Sequence, residues 1–342
     1  MASMRSCYPG ATLALALMMP AAAQAQSIEE FYRGKQLSMI IGYPTGGSND
    51  IYARAVARHI GKYIPGNPTV IPRNMPGGGS LIAANHVFNV APKDGTTLSL
   101  IAATIPLEER LGAPNVRLKV TEFNWIGRVA PSVNMTFVRS DLPVKSIQDT
   151  FKREVLLGAS ARTSTVAIYP MVLANVIGAK FKMVMGYKGS STAMLAMERG
   201  EVEGHSTSME IVRSLHADWI RDKKITILVQ YALKRHPEMQ DVPMSWELGR
   251  TPDEKQVLRI VASATEVGKM ILSTPATPAD RIKALRRAFD ATVKDPAFLA
   301  ELKKARVDVG PMPGEELQKL VAEVANVSPA IIDKVKAAYP TN

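Results

Sequence analysis

Apolar, β-branched runs alternate along the chain with stretches whose apolar positions recur at helical spacing, the pattern of an α/β fold with mostly parallel sheet. Residues 37–43 form a strand candidate ending at the turn Pro44-Thr45-Gly46-Gly47-Ser48. A helix follows from about Asn49, with Ile51, Ala55, Val56 and Ile60 on one face and Asp50 in its first turn. Residues 69–71 give a short strand, which runs into the turn Met75-Pro76-Gly77-Gly78-Gly79, and Ser80 caps a helix over 81–89. After the turn Lys93-Asp94-Gly95 comes a third strand, 97–101. Twice, therefore, a Gly-rich loop joins a strand to a helix N-terminus.

A second series repeats this logic with strands at 133–138 and 155–157, a polar turn at 160–164 and a helix reaching about Ile177. Then come a strand at 181–185, a loop at 186–190, a helix at 191–199 and a strand starting at 202–203. Residues 225–231 form the last strong strand, and helices predominate from Thr277, over 279–294, 296–305, 314–324 and 329–338. No internal repeat or low-complexity segment interrupts the series.

The first 25 residues stand apart, because Arg5, the apolar stretch 11–23 and Ala23-Gln24-Ala25 have the layout of a cleavable export signal. That stretch is shorter than the roughly 20 residues that span a bilayer, so the expectation is a soluble, exported protein cleaved near Ala25. Cys7, the only cysteine, leaves with the signal, which excludes disulfides and thiol chemistry from the mature chain. At 342 residues and 46% hydrophobic composition the chain can bury two cores, and disordered or collagen-like classes are excluded.

A formal net charge of +11 admits a nucleic-acid partner or a field that draws in anionic solutes. The basic clusters, such as Arg286-Arg287 and Lys303-Lys304, are short and sit on helical faces, and export argues against nucleic acid. Catalytic patterns are missing. The histidines at 59, 86, 205, 216 and 236 never stand three or four apart, as a helical zinc pair would require. Gly158-Ala159-Ser160-Ala161-Arg162 ends in arginine where a nucleophile elbow needs glycine. No cofactor and no metal are expected. Gly77-Gly78-Gly79-Ser80-Leu81-Ile82 begins like a dinucleotide fingerprint but carries Ile82 at the last glycine, and residues 42–48 lack the close of a P-loop. The two turns nevertheless share a physical property. Each presents free N–H groups at the positive end of a helix dipole, and glycine lets an anion approach the backbone. Convergence at the C-terminal ends of parallel strands would make a carboxylate pocket.

The same residues resemble the periplasmic substrate-binding receptors of tripartite tricarboxylate transporters, the Bug family. Pro44-Thr45-Gly46-Gly47-Ser48-Asn49-Asp50 followed by Ala53-Arg54 is similar to P-x-G-G-x-x-D-x-x-A-R, and Asn74-Met75-Pro76-Gly77-Gly78-Gly79-Ser80 to N-x-P-G-A-G-G/S. Pro92-Lys93-Asp94-Gly95-Thr96, Gly186-Tyr187-Lys188-Gly189, Gly200-Glu201-Val202-Glu203 and Arg235-His236-Pro237 to Asp241-Val242-Pro243 extend the likeness across the mature chain.

The resemblance implies a two-lobed fold like type II periplasmic binding proteins, each lobe a mostly parallel sheet flanked by helices, with a ligand cleft between the lobes. Residues 26–132 and 234–342 would form one lobe and 133–233 the other. It implies a receptor without catalytic activity, working as a monomer, that closes on a small mono-, di- or tricarboxylate and delivers it to the membrane subunits of the transporter. The implied ligand-binding residues are Tyr43, Thr45, Gly46, Gly47, Ser48, Gly77, Gly78, Gly79 and Ser80, with Asp50 holding the first loop. On the second lobe they are Arg162, Thr163, Ser164, Tyr187 and Ser206. Arg162 stands where the family has a small residue, and either meets the distal end of a ligand or reaches solvent. Glu203 replaces the family's Asp. A ligand sensor for a membrane kinase would have the same sequence features, and a periplasmic hydrolase or lyase using His205 is the catalytic alternative.

Overall fold

The structure, a computed structural model, describes residues 1–2, 27–162 and 164–339; the expected export signal with its cleavage near Ala25, and Thr163, lie outside the described residues. From the N-terminal side the elements are α1 (Ile28–Tyr32), β1 (Gln36–Ile41), α2 (Ser48–Ile60), β2 (Thr69–Asn74), α3 (Leu81–Asn89), β3 (Thr97–Leu100), α4 (Ile105–Leu111) and β4 (Asn124–Arg128). Next come β5 (Asn134–Arg139), β6 (Val155–Gly158), α5 (Thr165–Ile177), β7 (Phe181–Val184), α6 (Ser190–Glu198), β8 (Gly204–Ser208), α7 (Met209–Leu215), α8 (Ala217–Arg221) and β9 (Ile225–Tyr231). The chain ends with α9 (Pro252–Val267), β10 (Met270–Ser273), α10 (Ala279–Thr292), α11 (Pro296–Lys304), β11 (Met312–Pro313), α12 (Gly314–Ala325) and α13 (Pro329–Ala338).

These strands make two sheets, one per lobe, in the orders β11-β4-β10-β3-β1-β2 and β7-β6-β8-β5-β9. The sheets are mixed rather than mostly parallel. β1 pairs in parallel with β2 and β3, and β6 with β7 and β8. The reversed strands are β10 and β11 in the first sheet and β5 in the second. β5 and β10 begin where the chain has just crossed from the other lobe. A strand entering from the cleft side must run away from it, opposite to strands whose C-terminal ends face the cleft. That direction follows from topology and leaves no mark in local composition.

In the first lobe α2, α10 and α11 cover one face of the sheet, where Tyr52, Val56, Ile60, Phe289, Phe298 and Leu302 meet Leu37, Met39 and Ile41. α3 and α12 cover the other face through Ala83, Val87, Leu317 and Val321. Each large side chain buried in this way contributes about 1.5–3 kcal/mol. The late helices do not all return to that lobe. Val257, Leu258 and Val261 of α9 and Ile332 and Val335 of α13 share a core with Leu157, Ile168 and Val172 of the second lobe and with Leu107 and Leu111 of α4. Packing therefore divides the segment 234–342 between the lobes. Among the described residues, no helix is long and apolar enough to cross a membrane.

Candidate functional site

At the C-terminal end of β1 the chain turns through residues 42–47 into α2, whose N-cap Gly47 offers no side-chain cap. The first-turn N–H groups of α2 thus keep their hydrogen-bonding capacity for a guest. Asp50, buried in this turn, accepts the Gly46 N–H at 3.0 Å, the Arg54 Nε–H at 2.9 Å and the Asn74 amide N–H at 2.7 Å. Its charge is matched by Arg54 and its oxygens are occupied, so it fastens the loop. Asn74 also donates to the Tyr43 carbonyl at 2.9 Å, tying the end of β2 to the same turn.

The second turn is held by backbone conformation. Gly77, Gly78, Gly79 and Ser80 have φ of 130°, 54°, 63° and 81° in succession, a run that L-residues disfavour by roughly 1–2 kcal/mol each. Ser80 accepts the left-handed conformation while buried, and its Oγ has no partner. The two turns touch through Gly42, where a Cβ would lie 1.8 Å from the Ser80 Oγ.

Both turns face the second lobe across a cavity of about 480 Å³. Its opposite wall is built from the uncapped start of α5 at Ser164 and Thr165, the start of α6 at Gly189 and Ser190, and the end of β8 at Thr207 and Ser208. Ser48 and Ser208 bring their Oγ atoms to 3.4 Å across the cleft. Beside it Arg213 of the second lobe reaches the Asp308 carboxylate of the first at 3.3 Å. Among the described residues, Lys188 and Lys269 are the charged residues of the lining, which contains no Asp or Glu. Lys188 is exposed, whereas Lys269 is buried and lies 3.5 Å from the Ser48 Oγ.

Among the residues expected at the site, Tyr43, Thr45, Gly47, Ser48, Gly77, Gly78, Gly79, Ser80, Ser164 and Tyr187 line the cavity. Gly46 and Asp50 lie outside the lining and support it. Two of the expected residues fall outside the lining. Arg162 is exposed on the turn before α5, while its neighbours Ser160, Ala161, Ser164 and Thr165 line the cavity. Ser206 is sealed inside β8, with its Oγ unpartnered, because the strand reaches the cavity only at Thr207 and Ser208. Sequence reasoning missed Lys269, Asn134, Thr165, Tyr169, Ser190 and Ser208. The start of α5 was legible from its polar turn, whereas Lys269 follows the unpredicted α9 and offered no local signal.

Glu203 accepts the Leu156 N–H at 3.0 Å and pairs with Arg153, away from the cavity lining. His205 likewise lies outside the lining. It is fully buried, its Nδ1 is 2.7 Å from the Gly158 carbonyl, and burial pulls its pKa down to about 4. It is neutral at ordinary pH, donating from Nδ1, which ties β8 to β6 within the second sheet. Among the described residues no group of three His, Cys, Asp or Glu side chains could hold a metal.

Behind the cavity wall, Glu108 of α4 is buried with Thr104 donating to one oxygen at 2.9 Å and the other unpartnered. Burial pushes its pKa from 4.5 up to about 8, against the smaller opposing effect of the Thr104 bond. Between those values the folded state holds a proton that the unfolded state has released, so stability falls as pH rises through that window. Glu108→Gln is expected to gain stability relative to the native chain between pH 5 and pH 9 in urea unfolding. Parallel profiles for the two proteins would show that Glu108 ionises normally in the fold.

Residues 52–337 match the family described as tripartite tricarboxylate transporter family receptor. The chain is 26% identical to the UPF0065 protein in the gbd 5′ region of Cupriavidus necator, over 98% of this chain and 97% of that one. In fold it resembles the periplasmic binding protein BugD, with a TM-score of 0.70 at 21% identity, covering 90% of this chain and 98% of BugD. The R. palustris protein Rpa4515, solved with adipate, has a TM-score of 0.66 at 20% identity, covering 88% of this chain and 97% of that one.

Proposed function

The chain belongs to the tripartite tricarboxylate transporter receptor family, and from that premise we propose that it captures a small organic acid anion by closing its lobes and presents it to the membrane subunits of such a transporter. The observation that carries this reading is the cavity wall: uncapped N-terminal turns of α2 and α5, the left-handed glycine turn before α3, hydroxyl groups, a buried lysine, and no carboxylate. Such a wall favours an anion at several points through oriented N–H groups and offers nothing to balance a cation. Adipate in the R. palustris relative is in accord with it. The signal-like residues 1–25 support export to the periplasm. The receptor works without catalysis, and His205, the side chain that a hydrolase reading would need, is engaged by the Gly158 carbonyl.

A melting-temperature panel of mono-, di- and tricarboxylates, adipate among them, beside neutral sugars, nucleosides and divalent cations tests the proposal. An acid present at about 100 times its Kd adds roughly 2.7 kcal/mol to folding stability, enough to raise the transition by several degrees. Shifts with sugars or metal ions and none with any acid would overturn it.

A further inference from the structure

Oriented backbone N–H groups favour a carboxylate over a neutral carbonyl through charge-assisted hydrogen bonds. A buried cation that water does not already satisfy would sharpen that discrimination further. Lys269 meets that description. It lies between α9 and β10, where the chain returns to the first lobe, and is 3% exposed while lining the cavity. Its ammonium has the Ser48 hydroxyl as its hydrogen-bond partner among the described residues, at 3.5 Å, and stands 5.9 Å from the centre of the Tyr52 ring. Ser48 is the first residue of α2, so the ammonium stands beside the same helix N-terminus that the glycine turn exposes.

The arrangement is unsatisfied. An ammonium has three donors, and the acidic group whose charge it feels is Glu210 of α7, in the other lobe, itself buried with an oxygen lacking any partner. Burial accordingly pulls the Lys269 pKa below its ordinary value, with Glu210 only partly opposing. A buried cation that is short of partners and faces a cavity is costly unless something fills the gap.

We propose that Lys269 is the counter-cation of the captured acid, seated beside the α2 N-terminus with Ser48, and that it makes the receptor select the ionised carboxylate over an uncharged group of the same shape. This rests on the reading of the cavity as an acid site and names the residue that sets its selectivity. Arg162, by contrast, is exposed and lies outside the lining.

The test takes the acid with the largest melting shift in the panel above and the amide of the same skeleton, and titrates both calorimetrically into the native chain and into Lys269→Met. Methionine keeps the volume and removes the charge. The native chain is expected to favour the acid over the amide by a factor that drops at least tenfold in Lys269→Met, with most of the change in the affinity for the acid. The unliganded variant is expected to stay folded and to melt no higher than the native chain, since removing Lys269 alone leaves the buried Glu210 without the opposite charge it faces. An unchanged acid-to-amide ratio in a folded variant would overturn the inference while leaving the acid site standing. A lower melting temperature with unchanged affinities would make Lys269 a structural residue only. If no acid binds the native chain, it is the reading of the cavity that fails.

Discussion

Gly42→Val is expected to lose the ligand almost completely while keeping its secondary structure. Gly42 follows β1 and donates its N–H to the Leu100 carbonyl at 2.9 Å, which fixes its position. A Cβ there would stand 1.8 Å from the Ser80 Oγ, 2.9 Å from the Ser80 Cβ and 3.3 Å from the Ala83 Cβ. Rotation of the Ser80 hydroxyl removes only the first of these contacts, so the backbone of the second turn must move outward. That turn already holds four successive residues at positive φ, which leaves few alternative conformations. Misplacing its N–H groups by an ångström forfeits charge-assisted hydrogen bonds worth about 1.5–3 kcal/mol each, or about 100-fold in affinity for two partly lost bonds. Calorimetric titration with the acid identified by melting, alongside far-UV circular dichroism, checks this. Binding within threefold of the native chain would mean that the contact between the turns does not shape the site.

Gly127→Val carries the largest expected cost in stability. Gly127 lies in β4, opposite Ile271 of β10 and Pro313 of β11. Its missing side chain is replaced by the ring of Phe289, whose Cε1, Cδ1 and Cζ would stand 2.1, 2.3 and 2.8 Å from a Cβ. Phe289 is fully buried in α10, so the ring has no free space to enter. Overpacking a core costs about 1–3 kcal/mol and sometimes more, and the upper end is expected here because the whole of α10 must lift from the sheet. The first transition in thermal unfolding should fall by roughly 5–10 °C, taking about 2–4 °C per kcal/mol for domains of this size. Phe289→Leu added to Gly127→Ala should recover part of the loss relative to Gly127→Ala alone. A valine variant that melts within 2 °C of the native chain would contradict this account of the contact.

What could be read in the sequence was the chemistry carried by local conformation. The two glycine turns, the helices they feed and the role of Asp50 all follow from residues a few positions apart, and glycine at positive φ is a local requirement. The polar turn before α5 was legible for the same reason. Lys269 was not, because its place in the cavity depends on the chain crossing back from the second lobe. The helix before it did leave a trace: Val257, Leu258 and Val261 have helical spacing, and Thr251 caps it by accepting the Glu254 N–H at 3.1 Å. β10 is only four residues long, and a short apolar run carries no periodicity that separates strand from helix. Arg162 attracted attention because a charge on a turn near a cleft suggests contact. Its actual exposure depends on where α5 begins, and helix boundaries are the least determined feature of a pattern. The reversed directions of β5 and β10 are likewise set by lobe crossing rather than by any residue within them.

The central claim is that a carboxylate sits against backbone N–H groups where the two glycine turns of the first lobe meet the second. A crystal structure of the protein with the acid that most raises its melting temperature tests this most directly. The account predicts carboxylate oxygens within hydrogen-bond distance, directly or through one ordered water, of N–H groups in the first turn of α2 and in residues 78–81, with Lys269 on the same side. An acid bound outside the interlobe cavity, or inside it with its carboxylate turned away from both turns, would contradict the account.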